Sequence, residues 1–388
     1  GWCRGHAKPS SATSVGNRSS GEAEPGSARR AATGSDRIAA MTWRVIQWGT
    51  GNVGRNAIEG VLAHPDLELV GVLVYDPAKA GRDDGELCGI ASIGVIATDD
   101  VDAVLALDAD AVVYAPMLPN PDEVLRIVAA GKNVVTPTGW FYPGTRDVAA
   151  LEAACRQAGV SIHGTGINPG GVTEQLPVVL SGLCRDIRHV RAEEFSDIRT
   201  YQAEFVVREI MLFGKPPAEA ANSPMLGILG DGFGQSIDLV ADALGWVLDD
   251  EKPASIETAV ATADIDTPVG VIEAGTVAAQ RMTWQGTVGG VPVMTVRVNW
   301  LMGTEHLDPA WDFGPEGQRF EIAFDADPPL SVTFHGLHPA TLDEGIERNA
   351  GIVATAMHCV NAVPYVCDAD PGIKTYLDLP LIAGRAPA

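Results

Sequence analysis

The clearest chemistry in this 388-residue chain sits in six consecutive residues, Gly49-Thr50-Gly51-Asn52-Val53-Gly54. Glycines at the first, third and sixth places suit a turn that brings backbone amides against a phosphate. Gly49 permits the tight turn, Gly51 lets a pyrophosphate approach the backbone, and Gly54 lets a helix pack closely on a strand. The spacing alone is a weak signal, because glycine-rich turns are common. Here an apolar run precedes it, a helical run follows, and Asp76 ends the next apolar run about 20 residues further on. Together these imply a bound NAD or NADP, its pyrophosphate at a helix N-terminus, where free amides and the macrodipole favour an anion. Asp76 can accept hydrogen bonds from the adenosine ribose and would repel a 2′-phosphate, which favours NAD. Lys79 and Arg82, in the following loop, either clamp that phosphate or are simply solvated, so the choice between NAD and NADP stays open.

Ligands of an open parallel sheet lie beyond the carboxyl ends of its strands. That rule nominates Ala115-Pro116-Met117-Leu118, Thr136-Pro137-Thr138-Gly139 and the loop Gly164 to Gly170. Ala115, Pro116, Thr136 and Pro137 are thus candidates for lining the cofactor. Asn168 is a candidate both for the cofactor and for the chemistry, since its amide offers a donor and an acceptor beside a flat ring; a turn holding its own backbone is the alternative. Hydride transfer needs no protein nucleophile, only orientation, a proton and charge stabilisation. Tyr142 can protonate a developing alkoxide, or it merely packs. Glu193 and Asp197 share one face of a strand and Glu194 the other, so one set can meet a cleft; Asp197 is the catalytic candidate among them. His163 can titrate near neutrality or be capped by backbone, and nothing separates His335 from His338. Trp140, Phe141, Met117 and Leu118 suggest a bulky apolar pocket. Asn361, following the last helix, is placed either against the nicotinamide carboxamide or as a helix cap.

The run Arg44 to Gly51, the strand Gly131 to Thr136 and the loop Gly164 to Gly170 together resemble the 2,4-diaminopentanoate dehydrogenase and native amine dehydrogenase family, related to dihydrodipicolinate reductase. The resemblance spans roughly residues 41–381. It implies an NAD(P)-linked enzyme that interconverts a primary amine and a ketone, or reduces a related C=N or C=O group. In that family the strand equivalent to Asn133 to Thr136 runs into paired glutamates before Tyr-Pro, and one of them activates the amine and water. Here the stretch reads Pro137-Thr138-Gly139-Trp140-Phe141-Tyr142-Pro143: the Tyr-Pro is kept and the glutamates are absent. A carboxylate is needed to hold an ammonium group and exchange protons, so the amine activity does not carry over with the matching residues. Asp197 or a neighbour on its strand is a replacement, and a non-catalytic NAD(P)-binding sensor is the alternative function.

These residues need a scaffold. From Trp43 onward, short apolar runs alternate with helical stretches, which predicts a doubly wound parallel sheet, the Rossmann arrangement. Expected strands are Val45 to Trp48, Leu67 to Tyr75, Ala111 to Ala115, Asn133 to Thr136 and Ser161 to Gly164. Expected helices are Val53 to Ala63, Pro121 to Ala130 and Asp147 to Ala158. After about Pro177 longer strands take over: Arg188 to Ile198, Thr276 to Trp284, Val291 to Leu301, Phe320 to Phe324 and Leu330 to Phe334, with Gly289-Gly290 as a tight hairpin turn. The expected organisation is a disordered extension (1–40), an NAD(P)-binding domain (41–176), an α+β domain with a mixed or antiparallel sheet for substrate binding and dimerisation (177–343), and a C-terminal segment (344–388). Its helix, Glu344 to Val360, and tail return to the first domain.

A net charge of −23 disfavours nucleic acid and anionic lipid as partners. The expected partners are a small-molecule substrate and a second copy of the chain. No apolar run is expected to reach the roughly 20 residues of a membrane span. Cys3, Cys88, Cys155, Cys184, Cys359 and Cys367 show neither paired nor metal-ligand spacing, which predicts reduced thiols, no metal and a cytoplasmic location.

Overall fold

The computed structural model describes residues 42–144, 148–221 and 225–386. The extension expected over residues 1–40, and Asp147 at the start of one predicted helix, lie outside them. The first half of the chain alternates strand and helix: β1 (Trp43–Trp48), α1 (Asn52–Ala63), β2 (Leu67–Leu73), α2 (Asp84–Cys88), α3 (Val101–Leu105), β3 (Ala111–Tyr114), α4 (Pro121–Ala129), β4 (Asn133–Thr136), α5 (Ala149–Ala158) and β5 (Ser161–Gly164). A late strand from the C-terminal region, β13 (Gly372–Lys374), joins β5 in parallel. The resulting sheet has the order β13-β5-β4-β3-β1-β2, with every pairing parallel.

Burial on both faces explains the continuous apolar runs of these strands. Val45, Val113 and Val135 pack with Ala57, Ile58 and Val61 of α1, whereas Ile46, Trp48, Val112 and Val134 pack with Val124, Ile127 and Val128 of α4 on the other side. Because the chain moves from β1 to β2 on one side and to β3 on the other, a crevice opens at the carboxyl end of β1.

The second half contributes α6 (Leu176–Ser181), β6 (Arg185–Asp197), α7 (Pro217–Ala221), α8 (Met225–Leu244), β7 (Ala254–Ala261), β8 (Val277–Val288), β9 (Val291–Leu301), β10 (Leu307–Asp308), β11 (Arg319–Asp327), β12 (Leu330–Phe334), α9 (Leu342–Glu347) and α10 (Ala350–Cys367). Its sheet, β10-β7-β8-β9-β6-β11-β12, is mixed: β6 and β9 run parallel and the other neighbours antiparallel. Trp284 and Met282 on β8 and Phe233 and Ile237 on α8 belong to one core. The Gly289-Gly290 turn closes β8 onto β9, with Val288 opposite Val291.

Three expectations need correction. The single helix predicted over Glu344 to Val360 is two helices broken at Arg348-Asn349, because the Asn349 side chain accepts from Ile352 N at 3.2 Å and caps the second one. That second helix continues past Val360 and through Pro364 to Cys367, which places Asn361 in its interior. Ala350–Cys367 is also an uncharged apolar stretch of 18 residues, close to spanning length. In this fold Ala356, Val360 and Val363 pack against the parallel sheet and α1.

Candidate active site at the edge of the parallel sheet

The glycine turn is built as a cradle. Gly51 occupies the N-cap position of α1, no side chain caps the helix, and its first turn holds no acidic residue. The leading amides are therefore available to an anion. A Cβ placed on Gly51 would meet nothing within 4 Å, whereas one on Gly54 would lie 2.0 Å from the Gly49 carbonyl oxygen. Gly54 thus serves packing within the protein, and Gly51 keeps space open over the helix end. These features fit the pyrophosphate of NAD(P).

Around the cradle, Thr50 Oγ1 accepts from Lys79 Nζ at 3.3 Å and Asn52 Oδ1 from Arg55 Nη2 at 2.7 Å. Val53 is partly buried in the first turn. β2 stops at Leu73, so Asp76 lies in the turn beyond it, one carboxylate oxygen accepting from Ala78 N at 2.9 Å. Lys79 leans over the cradle, and Arg82 is exposed.

Beyond β3, β4 and β5 the chain is drawn tightly together. Gly49 lies against Ala115, whose carbonyl oxygen would be 3.1 Å from a Cβ there, with the Pro116 nitrogen at 3.7 Å. Thr136 Oγ1 pairs with Thr138 Oγ1 at 2.9 Å and accepts from Thr138 N at 3.1 Å. Pro137 approaches Gly166 of the next loop. Gly164 has no room for a side chain, since a Cβ would fall 2.1 Å from the Gly139 carbonyl oxygen. The segment after β4 therefore crosses directly over the end of β5, with Trp140 at a φ of 55°.

The loop after β5 carries Asn168 to the second sheet. Asn168 Nδ2 donates to Glu194 Oε2 at 2.5 Å, while its Oδ1 is buried with no hydrogen-bond partner. Glu194, on β6, is buried; its other oxygen accepts from Ser196 Oγ at 2.5 Å and Trp300 Nε1 at 3.1 Å. Ser196 Oγ also lies 2.6 Å from His338 Nε2, and His338 Nδ1 is buried without a partner. Burial pushes the Glu194 carboxyl up, opposed by its three hydrogen bonds. Burial also pushes His338 down to about 4, so its imidazole is neutral. These residues line a cavity of about 80 Å³ completed by Ile167, Tyr201, Phe320, Leu337 and Ile352.

Other sequence candidates land elsewhere. Tyr142 donates its hydroxyl proton to Asp242 Oδ2 at 2.9 Å, and burial pushes the phenol up to about 12. It ties the β4 exit to α8, and it does not line the Asn168 cavity. Asp197 borders that cavity, but its carboxylate is held by Arg199 Nη2 at 2.5 Å and caps the following turn through Arg199 N. The catalytic carboxylate expected there is therefore committed to a structural ion pair, and Glu194, on the opposite face of the strand, is the one beside Asn168.

Asn361 does not reach the nicotinamide end. Its neighbour Val360 packs at Gly60, eight residues into α1, and its own Nδ2 faces Gly384 of the tail, so it lies roughly 12 Å below the cradle at the rise of a helix. His163 is capped by the Lys374 carbonyl at 2.8 Å and stacks edge-on with Tyr376, so it is a core histidine. His335 is exposed. Met117 and Leu118 are exposed and Phe141 is buried, while Trp140 lines a second hollow of about 340 Å³ with Thr138, Pro119 and Gln235.

Residues 43–163 match the family model of the dihydrodipicolinate reductase N-terminus, and residues 172–299 that of the 2,4-diaminopentanoate dehydrogenase C-terminal domain. An amine dehydrogenase from Streptomyces virginiae is 36% identical over 359 residues, covering 87% of this chain and 96% of that relative. The chain belongs to the amine dehydrogenase family. The 2,4-diaminopentanoate dehydrogenase of Acetoanaerobium sticklandii is 26% identical over 353 residues, 87% of this chain and 93% of the relative. The solved structure of an amine dehydrogenase from Mycobacterium smegmatis matches with a TM-score of 0.72 at 23% identity, covering 88% of this chain and 97% of the other. This member of the amine dehydrogenase family is an NAD(P)-dependent oxidoreductase, and the sensor alternative falls with that.

Proposed function

We propose that the enzyme interconverts a small apolar primary amine and its ketone, or reduces the related C=N group. One observation carries the reading: Asn168, at the carboxyl end of β5 where substrate and nicotinamide meet in such sheets, keeps a buried acceptor unpaired beside a buried carboxylate. An unpaired buried acceptor costs roughly 1–3 kcal/mol, so the site is organised to receive a hydrogen-bond donor, which an amine supplies beside the carboxylate. Support also comes from the relatives named amine dehydrogenase and 2,4-diaminopentanoate dehydrogenase.

Bound in the cradle, NAD(P) supplies or accepts the hydride. The amides at the start of α1 would hold the pyrophosphate, and Lys79, which donates to Thr50 Oγ1 beside the cradle, would meet a further phosphate on the ribose. Asn168 orients an N–H group through Oδ1. Ile167, Phe320, Leu337 and Ile352 exclude water and leave room for a short alkyl chain.

The test follows oxidation of NADH and NADPH, side by side, with small ketones in the presence and absence of ammonium. Ammonium-dependent oxidation is expected. Tight cofactor binding with no oxidation by any ketone under either condition would sink the reading. In the same assay Lys79→Ala is expected to raise the KM for NADPH roughly fivefold, the equivalent of about 1 kcal/mol for an exposed ionic contact, and to leave the KM for NADH unchanged.

We also propose that the enzyme is a cytoplasmic homodimer. Its support is the face of the second sheet opposite α8, where Arg191, Glu193 and Arg297 interlock in ion pairs, and the free thiols of Cys88, Cys155, Cys184, Cys359 and Cys367. A monomeric mass in solution removes the dimer.

A further inference from the structure

We infer that Glu194 is the catalytic carboxylate of this enzyme, delivered across the cleft from the second sheet, and that Ser196 and His338 position it. The inference rests on the amine reading above. It starts from the sequence after β4, where Thr138 and Gly139 leave no carboxylate beside Thr136.

Donor and acceptor accounting fixes the arrangement. When Glu194 is ionised, both its oxygens accept: Oε2 from Asn168 Nδ2, and Oε1 from Trp300 Nε1 and the single hydroxyl proton of Ser196. With that proton used, Ser196 Oγ accepts from His338, so Nε2 carries the imidazole proton and Nδ1 is left as a bare acceptor. Asn168 Nδ2 is likewise used, which leaves Oδ1. Both remaining acceptors are buried without partners. Among the described residues, no Lys or Arg lines the cavity of Glu194, Asn168 and His338.

Tyr201 and Thr355 bring hydroxyls to this wall, but an anion finds no cationic partner in it. A primary ammonium brings three N–H donors and a positive charge. Its arrival also favours the ionised form of a carboxyl that burial pushes up.

In the amine-to-ketone direction one N–H bond of the ammonium breaks and the proton passes to Glu194. The freed lone pair then drives the hydride from the adjacent carbon, and the resulting iminium takes up water. Overall RR′CH–NH3⁺, oxidised dinucleotide and water give RR′C=O, NH4⁺, reduced dinucleotide and one proton. Glu194 returns its proton to solvent before each new turn. The hydrogen bonds from Ser196, Asn168 and Trp300 hold the carboxylate at one orientation throughout, which is what a proton-transfer group needs.

Two measurements test this on the full chain. The first uses the wild-type protein saturated with NADH, so that no turnover occurs, and compares calorimetric binding of isopropylammonium with that of isopropanol. The ammonium is expected to bind at least 10-fold more tightly; equal binding overturns the assignment whether or not any substrate has been found.

The second is Glu194→Gln, which keeps the shape and removes the base. With unchanged NADH affinity, it is expected to lose isopropylammonium binding by at least 10-fold and kcat by at least 100-fold. Retention of kcat within threefold overturns the catalytic role and leaves the amine reading intact, whereas a wild-type enzyme inert toward all amines and ketones fails the amine reading instead. For the positioning pair, Ser196→Ala is expected to lower kcat about 10-fold, to leave KM unchanged and to displace the pH profile of kcat. An unmoved profile removes Ser196 from the arrangement.

Discussion

Replacing Gly51 with leucine is expected to leave the fold in place and to weaken NADH and NADPH binding by at least about 100-fold. The backbone there has φ −71° and ψ −169°, an extended conformation open to any residue, and a Cβ meets no protein atom within 4 Å. The protein itself therefore does not require glycine at this position. What requires it is the close approach of a phosphate to the first amides of α1. Loss of two charge-assisted hydrogen bonds, each contributing about 1.5–3 kcal/mol, corresponds to about 100-fold or more in affinity. Fluorescence titration of NADH, with a thermal melt alongside, measures both quantities. Unchanged affinity at an unchanged Tm would falsify the cradle. Gly54→Ala is the contrasting control, because its Cβ would lie 2.0 Å from the Gly49 carbonyl oxygen. There the backbone must shift, and affinity and Tm fall together.

The contrast between those two glycines shows what a sequence can carry. The motif was legible because its three glycines have local jobs, set within one strand, one turn and one helix. The strands of the parallel sheet were legible for a related reason: both faces are covered, so Ala111–Tyr114 reads as an unbroken apolar run and Asn133–Thr136 keeps an apolar centre at Val134-Val135. The 20-residue helix α8 is absent from the expected elements; its four glycines, Gly227, Gly230, Gly232 and Gly234, lower helix propensity. In the fold, Gly230 lets the helix press against Trp284, whose Nε1 would be 2.6 Å from a Cβ there, and such packing depends on a strand more than 50 residues away.

The same limit governed the active site. Period-two alternation separated Glu194 from Glu193 and Asp197 correctly, yet nothing local says which face meets the cleft. That is decided by the pairing of β6 with β9 and β11. From the sequence Asp197 is the candidate, and only the structure shows that Arg199, two residues on, holds its carboxylate. His338 gained its place from a hydrogen bond to a residue 142 positions earlier, a distance over which a single sequence is silent. Asn361 failed for a more local reason, because Pro364 did not end the helix.

Stability is expected to peak near pH 7 and to fall toward pH 8, and Glu174→Gln is expected to make the alkaline fall shallower. Glu174 is fully buried; one oxygen accepts from Ser236 Oγ at 2.7 Å and the other has no partner. Burial pushes its carboxyl from 4.5 up to about 8. An acid with a raised folded pKa binds its proton more tightly in the native state, so the stability it contributes is complete below 4.5 and is lost as pH rises through 8. Three buried histidines act in the opposite sense. His163, His338 and His358 are pushed from 6.5 down to about 4 by burial, so the native state resists their protonation and stability is lost as pH falls from 6.5 toward 4. Below pH 6.5 the histidines outnumber the single carboxyl. Above it the unfolded histidines finish losing their protons, which offsets part of the Glu174 slope of at most about 1.4 kcal/mol per pH unit. Between pH 6.5 and 8 Glu174 should accordingly cost the wild-type protein about 1.5 kcal/mol that the variant does not lose. Urea unfolding at those two pH values reads the difference directly. Glu194, also raised by burial, contributes equally to wild type and variant, so the change in slope isolates Glu174 even if the glutamine amide lowers stability at every pH. Parallel slopes in the two proteins would mean that Glu174 does not carry a proton in the native state at neutral pH.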